Sequence, residues 1–293
     1  MSTQSIELTR VTPPLASARP TYLMCPPRLY DVAYVINPWM AGNIHTSSRE
    51  RAFAQWQQLY QALIEIADVE LIDPQPGSPD MVFTANAGLE RNGVVLLSSF
   101  FHPERQAEEQ HFRRWFHATG YTVLDVPRET PFEGEGDALF SSDGSRLWAA
   151  HGPRTTRESH HLLARAWNID VVPLHLIDPR FYHLDTCFAP LVDGYLMYYP
   201  QAFDANSIAR IEAFYPAEKR ISVTESDAIC FACNAINIGR TIILNNIGRE
   251  LTARLEFAGF HVITVTLTEF LKAGGAAKCL VMHLSGRIPK TCN

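Results

Sequence analysis

The feature that most constrains this chain is a strand-like segment that recurs five times, each time after a helix break. The copies are Val69-Glu70-Leu71-Ile72-Asp73, Tyr121-Thr122-Val123-Leu124-Asp125, Ile169-Asp170-Val171-Val172-Pro173, Ile221-Ser222-Val223 and Phe260-His261-Val262-Ile263. Each leads through a short loop to a polar motif, at residues 80–86, 133–137, 183–186, 230–234 and 274–279. Most motifs are followed by a second apolar run: Val94-Val95-Leu96-Leu97, Leu147-Trp148-Ala149-Ala150, Tyr195-Leu196-Met197-Tyr198 and Thr241-Ile242-Ile243-Leu244. Any α/β protein alternates strands and helices, but here the polar motifs also share one phase. Self-similarity at a fixed period points to stacked or radial repetition. A radial arrangement would carry all five motifs to one centre. No linker or composition shift divides the chain, so the expectation is a single α/β domain.

Helices fill the gaps. Ser47-Ser48-Arg49-Glu50 reads as a capping box, followed by Phe53, Trp56, Tyr60, Leu63 and Ala67 at helical spacing. Residues 104–119 form a second helix stopped by Gly120, and residues 160–167, 207–214 and 250–258 form three more, the last closed by Gly259.

With 46% hydrophobic and 19% charged residues, 293 residues can bury a substantial core. The net charge of -6 argues against nucleic acid or an anionic membrane as the main partner and is compatible with a cationic small molecule. No apolar run approaches the roughly 20 residues a bilayer span needs. The first twenty-odd residues lack the apolar stretch of a secretory signal, so residues 1–22 are expected to form a loosely ordered arm before a domain over 23–293. Six cysteines without regular short spacing suggest free thiols and a reducing, cytoplasmic setting. A homo-oligomer is left open.

One thiol, one histidine and several carboxylates sit in Gly- or Pro-marked loops, which is equipment for attacking a cationic carbon centre. Cys279 follows Gly274-Gly275, where the backbone can approach a ligand closely, and adjoins Lys278, a cation that could lower a thiol pKa. A buried structural thiol is the plainer reading. His183 stands out from ten other histidines because Asp185 follows two residues later, which in an extended strand puts both side chains on one face. Cys187 is a rival thiol but lacks a glycine-rich loop and is expected in the core. Glu133, Glu135 and Asp137 alternate with glycines; a solvated acidic loop is the bland alternative to a cradle for a guanidinium. Asp80 and Asn86 belong to the same class in the first unit, and Arg105 and Arg154 are candidate clamps for a carboxylate. Cys230-Phe231-Ala232-Cys233 has two-thiol spacing, but nothing nearby completes a zinc site. There is no Walker loop, Rossmann fingerprint or nucleophile elbow.

The stretches MCPPRLYDVAYVINPWMAGNIH, PDMVFTANAGL, FEGEGDAL, FYHLDTCFAPL and GGAAKCL together resemble the amidinotransferase/arginine deiminase superfamily. More narrowly they look like its arginine dihydrolase branch, with dimethylarginine dimethylaminohydrolases also similar. The resemblance runs from about Met24 to beyond Cys279. It implies the pentein fold, a five-bladed αβ-propeller of ββαβ repeats. It also implies Cys279 as nucleophile, His183 as general acid/base, and Glu133 and Asp185 holding the guanidinium nitrogens. Arg105 and Arg154 would bind an α-carboxylate, with Asn37 and Ala273 helping to seat the amino acid. Deiminases and dimethylarginine hydrolases usually carry Asp where this chain has Asn86, and dihydrolases carry Asn. The implied activity is hydrolysis of L-arginine to ornithine, carbon dioxide and two ammonia, without metal or organic cofactor. Arginine deimination, dimethylarginine hydrolysis and an inactive arginine-binding protein are the alternatives. Some relatives carry a second, ornithine-processing domain; with the chain ending at Asn293, that activity is expected to be missing.

Overall fold

The computed structural model describes residues 19–286. Fifteen short strands form five separate three-stranded sheets. The sheets are β3 (Gly88–Arg91), β4 (Val94–Leu97) and β5 (Thr122–Leu124); β6 (Ala138–Phe140), β7 (Arg146–His151) and β8 (Asp170–His175); β9 (Phe188–Leu191), β10 (Tyr195–Tyr198) and β11 (Arg220–Ser222); β12 (Ile236–Ile238), β13 (Thr241–Asn245) and β14 (His261–Val265). The remaining blade joins both ends of the described chain: β1 (Thr21–Met24) lies between β2 (Asp68–Leu71) and β15 (Met282–Leu284).

Every blade follows one rule. The first two strands pair antiparallel and the last two parallel, as in β6–β7 and β7–β8. A parallel neighbour needs a long crossover, and each blade supplies a helix there. In chain order these are Arg49–Ile64, Glu108–Ala118, Ser159–Trp167, Ala205–Phe214 and Arg249–Phe257. The five segments singled out by their repetition are the third strands β2, β5, β8, β11 and β14, and the second apolar runs are β4, β7, β10 and β13. The chain is a five-bladed αβ-propeller of ββαβ units.

Packing follows from the helical faces. Ala52, Trp56, Leu59 and Leu63 recur on one face of the first helix and are buried against a cluster that includes Ile243, Val265 and Phe270. The expected capping box is not what starts this helix. Ser48 is the cap, its hydroxyl accepting from Arg51 N at 3.3 Å, and its own N–H is taken by Glu269 Oε2 at 2.9 Å from a distant segment. Glu269 thus does across the fold what Glu50 was expected to do locally.

Most of the arm expected over 1–22 lies outside the described residues. Its last two residues, however, are already in β1, and Arg19 donates to the carbonyls of Ile64 and Ala67. Order therefore begins earlier than the sequence suggested. Among the described residues no helix is long and apolar enough to cross a membrane.

Candidate active site

The segment before the first strand of each blade is a tight turn: residues 79–87, 134–136, 184–186, 227–234 and 278–280. These are the polar motifs, and the blades bring them together. Two glycines show how closely. A β-carbon on Gly134 (φ +63°) would lie 2.6 Å from Ala85 O, and one on Gly136 would lie 2.3 Å from Asn86 Nδ2 and 3.2 Å from His183 Nδ1. Only glycine permits that approach of three neighbouring turns.

Cys279 is 2% exposed. Its Sγ lies 3.2 Å from Asp185 Oδ2 and accepts from Asn234 Nδ2 at 3.0 Å. Burial first, then the Asp185 carboxylate, pushes the thiol well up from its ordinary value. Lys278 does not offset this as expected, because its ammonium is paired with Glu135 at 2.6 Å. Glu135 in turn accepts from His283 N, so it is drawn away from the guanidinium cradle suggested by its glycine-rich loop.

His183 finds a different carboxylate from the one its neighbourhood in sequence suggested. Residues 184–186 form a single 3-10 turn and not an extended strand, so Asp185 reaches the sulfur while His183 Nε2 bonds Glu133 Oε2 at 2.8 Å. Burial lowers the imidazole to about 4, although Glu133 pulls the other way. Glu133 is fully engaged: Oε2 also accepts from Arg154 at 2.9 Å and Oε1 from Phe101 N at 3.1 Å. Burial works against its charge, but Arg154 and then His183 hold the carboxyl well below the usual range. Asp137 accepts from Thr155 Oγ1 at 2.6 Å and from Leu184 N, and sits 3.8 Å from His183 Nε2. Burial raises its carboxyl.

The two candidate clamps already have partners. Arg105 forms a fork on Glu108 at 2.8 and 2.9 Å, donates to Asn86 Oδ1 at 2.8 Å and to Asp80 O, and lies over the Phe100 ring. Arg154 donates to Ile36 O as well as to Glu133 and lies 4.6 Å over the Tyr182 ring. A substrate carboxylate would therefore use whichever N–H groups these contacts leave. Asn37 donates to Ala273 O at 3.0 Å, so those two expected neighbours do meet.

A cavity of about 10 Å³ remains, touched by Asn37, Asp80, Asn86, Arg105, Arg154, Tyr182, Ala273 and Cys279. That is room for about one water, so a larger ligand requires the wall to open. Two buried oxygens, Asp80 Oδ1 and Asp185 Oδ1, have no hydrogen-bond partner among the described residues. Five buried acids (Asp80, Glu108, Glu133, Asp137 and Asp185) share this centre with two buried guanidiniums, Arg105 and Arg154. An excess of buried negative charge with open oxygens is a site for a cation. Burial raises Asp185 to about 6, despite Lys278, and raises Asp80 despite Arg105.

Sequence reasoning missed Asn234, Tyr182, Thr155 and Glu108. Asn234 lay inside a recognised motif but was overshadowed by the two cysteines beside it. Of these, Cys233 is buried and Cys230 half-buried, and both are free. Cys187 is buried in the core, where it was expected.

A radial array of five ββαβ units around a thiol, an imidazole and buried carboxylates defines the pentein fold. The chain belongs to the N,N-dimethylarginine dimethylhydrolase family, whose eukaryotic branch matches residues 36–285. The dimethylarginine dimethylaminohydrolase of Mycobacterium tuberculosis is 37% identical over 264 residues, spanning 90% of this chain and 85% of that protein. The bifunctional arginine dihydrolase/ornithine cyclodeaminase ArgZ of Synechocystis is 57% identical over 263 residues, 90% of this chain. The chain spans only 37% of the length of that protein. The solved N-terminal domain of ArgZ superposes with a TM-score of 0.89 at 56% identity, covering 90% of this chain and 97% of that one. It has been captured as a Cys→Ser variant bound to substrate and as an Asn→Ser variant covalently bonded to a reaction intermediate.

Proposed function

We propose that this chain hydrolyses free L-arginine to ornithine, carbon dioxide and two ammonia, with Cys279 as nucleophile. The observation that carries the reading is the pairing of Cys279 with Asp185, a carboxylate that keeps one oxygen open beside the sulfur. By itself the carboxylate favours a protonated thiol. A guanidinium docked on Asp185 and Asp80 would neutralise that field and favour the thiolate next to the carbon it attacks. His183, neutral when buried, would accept the proton and pass it to departing ammonia, leaving an S-alkylthiouronium. It would then take a proton from water to release the ureido product and the thiol. Glu133 and Arg154 would fix the ring.

A second round on the ureido group would expel another ammonia and yield ornithine and carbon dioxide, two waters being consumed for each arginine. Asn86 supports the dihydrolase reading over deimination. Its Oδ1 is tied to Arg105, so its amide N–H faces Glu133 O at 3.4 Å across the turn before β6. A neutral amide can bond a cation's neighbour or a neutral ureido oxygen alike, so the intermediate can stay, whereas Asp would favour only the cation. The changed cysteine and asparagine in the ArgZ structures are residue types that this chain offers as Cys279 and Asn86. The family match and the mycobacterial relative favour dimethylarginine as a second candidate substrate.

Product stoichiometry tests this. Two ammonia and one ornithine per arginine support the proposal. One ammonia with accumulating citrulline would make the chain a deiminase, and dimethylamine from dimethylarginine without arginine turnover would place it with the dimethylaminohydrolases. We further propose that the blades, from β1 at Thr21 to β15 at Leu284, act as one catalytic domain.

A further inference from the structure

The fourth motif has no task in the scheme above, yet its last residue is more tightly engaged with the nucleophile than any other. Asn234 is fully buried. Its Oδ1 accepts from Ala276 N at 3.1 Å and Cys279 N at 3.0 Å, and its backbone carbonyl accepts from Lys278 N at 3.2 Å. Its Nδ2 donates to Asp185 O at 3.2 Å and to the Cys279 sulfur itself at 3.0 Å. Among the described residues this is the side-chain amide donor to that sulfur, which also contacts the Asp185 carboxylate. The sulfur therefore sits between a group that favours S–H and a group that favours S⁻.

We infer that Asn234 is a catalytic residue: its amide N–H stabilises the Cys279 thiolate when it forms for attack and again when it leaves the thiouronium, while its carbonyl oxygen holds the nucleophile's turn in place. This rests on the reading of Cys279 as the nucleophile of a guanidino hydrolase. The physical ground is that a donor pre-aimed at a developing anion in a dry site is already organised when the charge appears. The fourth blade thereby acquires a part in the chemistry. It also closes the ring of motifs, since Asn234 touches Asp185 of the third turn and Cys279 of the fifth.

Asn234→Asp separates this role from simple loop support. The isostere keeps an oxygen for the two backbone N–H groups and replaces the donor to sulfur with a carboxylate oxygen. The thiolate is titrated by its ultraviolet absorbance, taken as the difference from Cys279→Ser, with no substrate present. The expected result is an alkaline shift of about 1–3 pH units, together with a fall in kcat on the order of 100-fold. Arginine binding, measured for the charge-neutral Asn234→Ala in the Cys279→Ser background, should stay within a few-fold. An unshifted titration with kcat within a few-fold of the parent overturns the inference. If Asn234→Asp does not fold by circular dichroism, Asn234→Ala is titrated instead, and an unshifted thiolate there overturns it equally. Because the titration uses no substrate, a parent chain that ignores arginine would sink the proposed function and leave this result readable.

Discussion

Two halves of the buried centre, drawn from interleaved stretches of the chain, are built on opposite principles. Around Glu133, His183 and Arg154 every charged oxygen has its donors and the ions face one another. Around Cys279, Asp185 and Asp80, one oxygen of each carboxylate is buried with no donor among the described residues, while its fellow accepts from Cys279 or Tyr34. The first half is a finished network, in which losing one member strands the others. The second keeps acceptors in reserve, which on the proposed reading the guanidinium would fill. Scaffold and binding surface thus differ less in residue type than in whether their polar groups are satisfied.

The sharpest way to break the contrast is Cys279→Ser. Turnover should be lost to below detection, because a serine hydroxyl in this environment is far less able to ionise than a thiol; retained arginine consumption would remove Cys279 from the chemistry. Glu133→Gln should destabilise the fold by about 3–5 kcal/mol, since it leaves Arg154 buried without its anion. Urea unfolding at neutral pH checks this.

Asp185→Asn should do the reverse to stability. The Asp185 carboxyl is raised in the native state from 3.8 to about 6. Its favourable contribution is therefore complete below about pH 4 and lost as pH rises through 6, so near pH 7 the ionised group burdens the fold. The amide should stabilise by on the order of 1–3 kcal/mol at pH 7, and the gain should vanish toward pH 4. Meanwhile kcat/KM for arginine should fall by about 100-fold or more. A variant that is both less active and less stable at pH 7 would show that Asp185 belongs to the satisfied half. His183 titrates in the opposite sense: depressed to about 4, it contributes stability above pH 6.5 that is lost as pH falls through 4.

The smallest effect is expected outside both halves. Ser48→Ala removes one helix cap and should cost about 1 kcal/mol with activity unchanged, as thermal melting and a standard assay would show.

The repeated architecture was legible because the third strands β2, β5, β8, β11 and β14 and the second strands carry β-branched and aliphatic runs bounded by helix stops. The first strands were not. Segments such as β6 and β12 are three residues long, follow directly on a polar turn, and have no alternation to read, while β9 carries Pro190 on a sheet edge. In the site, residue types and positions could be named from sequence, but partner choice could not. His183 and Asp185 are neighbours in sequence and diverge because a 3-10 turn, not a strand, lies between them. Lys278 adjoins Cys279 and serves Glu135 instead. Asn234 carries no charge and closes a motif dominated by two cysteines, so only its side-chain hydrogen bonds reveal it.

The pairing of β15 with β1 joins the two extremities of the described chain, and Cys279 stands immediately before β15. The strand that closes the circle and the turn that carries the sulfur are therefore consecutive in the chain. On the proposed reading, a chain with β15 unpaired from β1 would hold its acids and imidazole without a nucleophile, and would not act on a guanidino compound before its fold is complete.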